Sequence, residues 1–65
     1  MMTRAMKAWL TDHGLTAVQV ADRAGVNIRK MYRQLGGRAP VQQELTDTLC
    51  NIYGMTPAEM QEAIP

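Results

Sequence analysis

The sequence predicts an all-α domain, compact and built from five helices. Glycines at positions 14, 25, 36, 37 and 54 divide the chain into five short segments, and glycine commonly follows the end of a helix. Signals for the start of a helix stand at the beginning of several of these segments. No segment alternates apolar and polar residues between turn signals, as a strand would. With 65 residues, the chain is expected to form a single domain spanning residues 1–65.

The first two helices are predicted on either side of Gly14. Helix 1 should cover about Thr3 to His13, with Gly14 just beyond its end. The residues expected on its apolar face are Met2, Ala5, Met6, Trp9 and Leu10. Helix 2 should begin after Thr16, because Thr16 and Gln19 have the spacing of a capping box. Val20, Ala21 and Ala24 should be buried, and Gly25 should end this helix.

The three later helices follow from similar signals. Helix 3 should begin after Asn27, a good N-cap, and end near Leu35. Helix 4 is predicted to begin at Pro40, because proline is favoured at the first helical position. Its expected apolar stripe comprises Val41, Leu45, Leu49 and Ile52. Helix 5 should begin after Thr56, which is followed by proline and a capping-box glutamate.

The segment 17–35 has the features of two short helices joined by a tight turn. Ala21 is small where the helices should approach, and Gly25 can adopt the positive φ of a sharp turn. The outward face of helix 3 would carry Arg29, Lys30 and Arg33. Residues 23–43 contain five basic residues and no acid, whereas the remainder has two basic and six acidic residues. This asymmetry indicates either a surface that faces a polyanion or a solvated basic face.

The pattern of residues 15–35 resembles the helix-turn-helix of phage repressors and Cro proteins, often called the XRE family. The matching residues are Leu15, Thr16, Ala21, Gly25, Val26, Met31 and Leu35. Residues 38–40, the stripe of helix 4, residues 53–54 and the start of helix 5 are also similar to that family. The resemblance implies a lambda-repressor-like domain in which helices 2 and 3 form the helix-turn-helix. It further implies a sequence-specific regulator of transcription, a Cro-like or repressor protein of a phage or prophage.

The family resemblance also implies partners and site residues. The partner would be double-stranded DNA with a palindromic operator, bound by a homodimer in the cytoplasm of a bacterial host. Helix 3 would enter the major groove, with Ile28, Arg29 and Arg33 at base-reading positions. Arginine suits guanine, because its fork donates to both O6 and N7. The positions expected to contact phosphates are Thr16, Asn27, Lys30, Tyr32 and Arg38.

Two of these assignments have alternatives. Ile28 either touches a thymine methyl group in the groove or packs against helix 2. Tyr32 either donates to a phosphate or stacks on a sugar edge, or it is a half-buried spacer.

Met55, Met60 and Ile64 exceed what a small core is expected to bury, and they are candidates for a dimer contact.

The sequence departs from the family pattern in three respects. Many members have glutamine at the first residue of helix 2, where this chain has Ala17. Many also pair an arginine of helix 1 with a glutamate of helix 3, where this chain has Leu10 and Leu35. Replacing an ion pair with an apolar contact can be neutral or stabilising. The net charge of only +1 predicts fewer phosphate contacts and a shallower salt dependence.

These departures motivate an alternative, a protein-interaction module on the same fold that does not read DNA. Such a module would be an anti-regulator or an antitoxin-type adaptor. An enzyme is not expected, because His13 and Cys50 are too few for a zinc site and lack partners for nucleophilic catalysis. No cofactor, metal or small-molecule ligand is expected. Without a run of 18 apolar residues, no membrane span is expected, and the single cysteine fits a reducing compartment.

Overall fold

The computed structural model describes residues 2–65. Its helices are α1 (Arg4–Asp12), α2 (Ala17–Ala24), α3 (Ile28–Leu35), α4 (Gln43–Asp47) and α5 (Pro57–Ala63). A π-helical turn, Thr48–Ile52, continues α4 without a break. The described residues contain no strand, and the predicted all-α, five-helix fold is confirmed. None of the helices in residues 2–65 has both the length and the apolar character needed to cross a membrane.

One core joins all the helices. Its buried members are Met6, Trp9, Leu10, Val20, Ala21, Val26, Met31, Leu35, Leu45, Leu49, Met55 and Ala63. Leu10 and Leu35, the two positions at which the resemblance implies an apolar contact in place of an ion pair, are both in this core. The predicted face of α1 needs one correction, because Ala5 is exposed while Met2 packs on the core at its edge.

Side-chain caps define where α2 and α5 begin. At α2, the Thr16 hydroxyl accepts from the Gln19 amide at 3.2 Å, and Gln19 Oε1 accepts from the Thr16 amide at 2.8 Å. At α5, Thr56 and Glu59 form the same reciprocal pair. Both predicted capping boxes are therefore confirmed, and each satisfies two amides that a helix start leaves without a partner.

The turn between α2 and α3 depends on Gly25. Its φ is +70°, and its amide and that of Val26 donate to carbonyls of α2, the latter to Ala21 at 3.0 Å. An added Cβ would meet nothing within 4 Å. The glycine is therefore required by the left-handed backbone and not by a close neighbour.

We expect Gly25→Ala to lower the free energy of unfolding by about 1–2 kcal/mol, because an L side chain strains this conformation. In a domain of this size each 1 kcal/mol corresponds to about 4–8 °C in Tm, which thermal unfolding followed by circular dichroism will measure. Gly25→Asn is the matched variant and should lose less, since asparagine tolerates positive φ better than alanine. An alanine variant as stable as wild type would contradict this account.

The predicted start of helix 4 at Pro40 is wrong. The helix begins at Gln43, with Gln42 as its N-cap in an extended conformation. The cause lies in α3, where the Gln34 side chain is buried. Gln34 Oε1 accepts from the Gln42 amide at 2.9 Å, and Gln34 Nε2 donates to Gln42 Oε1 at 2.8 Å. These two bonds secure Gln42 against α3 and delay the helix by three residues relative to the prediction.

The predicted apolar stripe of helix 4 is correct for Leu45 and Leu49 and wrong for Ile52, which is 49% exposed. The Tyr53 amide donates to the Thr48 carbonyl, five residues back, at 3.2 Å. This wider turn rotates later side chains relative to an α-helix. Tyr53, the next residue, is half-buried and packs against the core.

Met55 does not contribute to an exposed dimer contact as the sequence suggested. Its side chain is only 2% exposed, because the chain turns inward after Gly54 and the Met55 amide donates to the Leu49 carbonyl at 2.8 Å. Met60 and Ile64 are half-buried at the edge of the core. Of the three candidates, these two keep a surface that a partner could contact.

A polar cluster joins α5 to α1. Trp9 Nε1 donates to Glu59 Oε2 at 3.1 Å, and His13 stacks on Trp9 with ring centroids 4.1 Å apart. The pKa of Glu59 is lowered, first by the hydrogen bond from the Thr56 backbone amide. Hydrogen bonds from the Thr56 and Trp9 side chains and the charge of His13 lower this pKa further, while partial burial opposes them.

This cluster predicts a loss of stability in acid. Because the pKa of Glu59 is lower in the folded chain, the stabilisation is present above the unfolded-state pKa and disappears as the pH falls through the folded one. The variant Glu59→Gln can still cap the helix. Between neutral pH and a pH of about 3, which lies below the ordinary glutamate pKa, the Tm of this variant should fall less than that of the wild type. Equal decreases in Tm for the two proteins, measured in parallel, would contradict the assigned role of Glu59.

Candidate nucleic-acid interface

The surface that could bind nucleic acid is the outer face of α3. Met31 and Leu35 are fully buried on the inner face of this helix. Arg29, Lys30 and Arg33 are exposed on the opposite side. The division follows from helical spacing, because residues 31 and 35 are one turn apart and lie opposite residues 29 and 33. The core contacts therefore orient three cations toward solvent.

Three local structures position α3. The Asn27 side chain accepts from the Arg29 amide at 2.9 Å and caps the start of the helix, as predicted. The left-handed Gly25 determines the angle at which the chain enters it. The Gln34–Gln42 pair fixes its far end to the segment before α4. Both ends of the helix are thus fixed to the domain by hydrogen bonds.

Ile28 is half-buried and packs against the core. Of the two roles expected for Ile28, packing is therefore observed. Contact between its exposed part and a thymine methyl group stays a prediction. Tyr32 is 38% exposed and lines a groove together with Arg29 and Arg33. Its phenol hydroxyl is a potential hydrogen-bond donor beside two cations.

The residues predicted to contact phosphates do not all come together. Lys30 and Arg33 border a second depression of about 290 Å³, which Gln34, Ala39 and Gln42 complete. Thr16, Asn27 and Arg38 are exposed, but none of them lines either concavity. The Thr16 hydroxyl lies 3.3 Å from Gln19 Oε1, so donation to a phosphate would replace that long bond.

The cations of α3 are close to one another along the helix. Arg29 and Arg33 are four residues apart, and Lys30 and Arg33 are three apart, so both pairs share a helix face. The first turn of α3 contains no acid. Like charges at these spacings destabilise a helix by a few tenths of a kcal/mol per pair, about 0.2–0.5 kcal/mol. A bound anion would remove this repulsion, which indicates a surface suited to binding polyanions.

Sequence reasoning missed two contributors to this surface. Gln34 gave no signal, because a glutamine on a helix is usually exposed, whereas here it is 5% exposed and paired with Gln42. Lys7 lies on α1, yet it lines the same groove as Arg29 and Arg33. Its basic charge was visible in the sequence, but its proximity to α3 depends on how the helices pack.

The potential metal ligands of the described residues do not cluster. Within residues 2–65, no group of three or more His, Cys, Asp or Glu side chains is placed to bind a metal ion. Cys50 is a free, half-buried thiol in the π-helical turn. What the outer face of α3 offers is cationic side chains and a phenol, which can bind anions and donate hydrogen bonds.

Comparison with known proteins agrees with this geometry. A family model described as a helix-turn-helix domain matches residues 3–63, a range that includes every helix of the structure. No curated protein and no solved structure matches the chain. The matched range contains α2, the Gly25 turn and α3, the unit whose outer face is basic.

Proposed function

Because this chain belongs to the helix-turn-helix domain family, we propose that it regulates transcription by reading a specific sequence in double-stranded DNA. In this mechanism α3 enters the major groove, Arg29 and Arg33 donate hydrogen bonds to base edges, and Lys30 contacts the phosphate backbone of the DNA. The observation that carries the proposal is the outer face of α3, where these cations are exposed on a helix whose other face is fixed in the core. Such a domain acts by binding, without catalysis or a cofactor.

The proposed reader is a homodimer on a palindromic operator. One copy measures 22 × 21 × 18 Å, which is less than the helical repeat of DNA, about 34 Å. One copy can therefore cover a single major-groove segment, and a two-fold pair would present two α3 helices to successive segments. Exposed Ile52 and half-buried Met60 and Ile64 are apolar residues with surface that a second copy could contact.

The finer proposal is a Cro-like or repressor protein of a phage or prophage, acting in the bacterial cytoplasm. Its support is the pattern of residues 15–35 together with the capped helix starts at Thr16, Asn27 and Thr56. Within this proposal, the apolar pair Leu10 and Leu35 replaces the ion pair common among such proteins, and both residues are buried.

Selection of bound sequences from a random DNA pool tests the proposal. We expect enrichment of an inverted repeat whose half-sites are separated by about 10 base pairs, centre to centre. The selection should be run at low salt, because the modest net charge of +1 predicts weak non-specific binding. A single enriched half-site would support DNA reading and contradict the dimer.

Failure to enrich any sequence would contradict DNA reading and favour the alternative, a protein-interaction module on the same fold. That alternative predicts no salt-dependent retention on DNA and a stable complex with another protein. Folded protein must be verified by circular dichroism before each selection, so that loss of structure is not mistaken for lack of binding.

A further inference from the structure

We propose that the groove between α1, the start of α2 and α3 binds an amphiphilic organic anion. The apolar part of the ligand would lie along the groove, and its carboxylate or sulfonate would meet the cations at the rim. The groove has a volume of about 620 Å³, within the range of about 300–1,000 Å³ typical of small-molecule sites.

The wall of the groove is largely apolar. Met2, Leu10, Leu15 and Ala17 line it, together with Tyr32. Ala17 has the smallest side chain among the lining residues, and it is half-buried. Apolar surface that faces water is stabilised when it is covered, by about 25 cal/mol per Å². The wall therefore favours a ligand with a hydrocarbon or aromatic body.

The rim of the groove determines the charge of the ligand. Lys7 from α1 and Arg29 and Arg33 from α3 line it, all three exposed, and no acid is among its lining residues. Cations from two separate helices thus converge on one opening. Arginine and lysine form stronger hydrogen bonds with anions than neutral donors form with neutral acceptors. Charge complementarity selects an anion over a neutral or cationic amphiphile.

A DNA backbone would use only half of this site. Phosphates match the cations of the rim, but a phosphodiester chain has no hydrocarbon or aromatic body as large as the apolar wall that includes Leu10 and Leu15. A small amphiphilic anion satisfies both parts. A ligand in this groove would depart from the expectation, drawn from the sequence, that the chain has no small-molecule ligand, because the proximity of α1 and α3 depends on packing.

Ligand binding would compete with DNA reading, because Arg29, Tyr32 and Arg33 line the groove. This consequence rests on the proposed function, whereas the binding of the anion does not. A ligand that occupies the groove would act as an inducer, releasing the protein from its operator.

The test uses a matched pair of fluorescent probes without DNA. 8-Anilinonaphthalene-1-sulfonate carries an apolar body and one negative charge, and N-phenyl-1-naphthylamine has the same rings without the sulfonate. We expect the folded wild-type protein to bind the sulfonate at least about tenfold more tightly, a difference of about 1.4 kcal/mol. Equal affinity for the two probes, or no binding of the sulfonate, would overturn the proposal.

Two variants locate the binding. Ala17→Phe should fill the groove and abolish binding, and Lys7→Gln should weaken it by about fivefold, as expected for loss of one charged contact worth about 1 kcal/mol. Arg4→Gln is the matched control, because Arg4 is exposed on the same helix but does not line the groove. If Ala17→Phe fails to fold, the comparison of Lys7→Gln with Arg4→Gln decides, and equal affinities for these two would overturn the proposal.

Displacement of selected operator DNA by the sulfonate probe is measured separately. If the probe binds and DNA does not, the groove is a ligand site and the proposed function is wrong. If DNA binds and the probe does not, the proposed function stands and the ligand site is wrong. If both bind, reciprocal displacement is expected, and simultaneous binding would contradict the predicted competition.

Discussion

Replacing Arg29 or Arg33 with alanine is expected to weaken binding to the selected operator by about 1–3 kcal/mol for each lost base contact, or about 5- to 150-fold. The reason is that arginine donates two hydrogen bonds to one guanine, and alanine leaves both acceptors without a partner. Both side chains are exposed on a helix fixed in the core, so their removal should leave the fold intact. Each variant should also relax specificity at one position of the half-site.

Repeating the selection with each variant measures this effect, and titration of the selected site gives the loss in affinity. Arg4→Ala is the control, since it removes the same charge from an exposed position on α1. It should change affinity little at every sequence. If Arg29→Ala and Arg33→Ala weakened binding equally on all sequences, both residues would be phosphate contacts, and the base-reading assignment would be wrong.

Leu35→Ala is expected to destabilise the domain by about 2–5 kcal/mol, enough to unfold much of the population. Leu35 is fully buried, and its truncation removes apolar contacts and leaves a cavity. A domain of 65 residues has a small core, which rarely supplies more than about 3–5 kcal/mol of stability. Because Leu35 also ends α3, DNA binding should be lost together with the fold.

Urea unfolding at neutral pH measures this change. Val18→Ala is the matched control, because Val18 is 58% exposed and a surface substitution usually changes stability by less than about 0.5 kcal/mol. Similar losses in the two variants would contradict the described core. Operator binding by Leu35→Ala at full affinity would contradict the dependence of α3 on this packing.

The starts and turns of the helices could be predicted because their causes are local. Thr16 and Gln19 are three residues apart, as are Thr56 and Glu59, and each pair carries its own hydrogen bonds. Gly25 likewise determines the turn through its own backbone. In each case the interacting groups are near one another in the chain, so the sequence contains the relevant geometry.

The errors arose where distant contacts prevail over local preference. Pro40 is a good first residue for a helix, but the bonds from Gln34 to Gln42 span eight positions and make Gln42 the cap. Ile52 fits an α-helical stripe, and the π-helical turn moves it to the surface. Spacing rules assume regular helices and cannot reveal a turn that changes from α to π.

The same distinction between local and distant contacts applies to the candidate site. Exposure of Arg29, Lys30 and Arg33 could be predicted from the alternation of buried and exposed faces on one helix. The groove could not be predicted, because Lys7, Leu15 and Ala17 lie outside α3 in the sequence and come close to α3 only when the helices pack. The contacts of these residues with DNA stay predictions for the selection experiments.

The separation of charge along the chain also has a kinetic consequence. The cations of α3 are exposed on one short helix, whereas the acids Glu59 and Glu62 belong to α5. A molecule with a net charge of only +1 therefore presents a positive local field at α3. Attraction between this local field and the phosphates of DNA would favour collisions that begin with α3 foremost. Association would then depend on ionic strength more steeply than the net charge alone indicates.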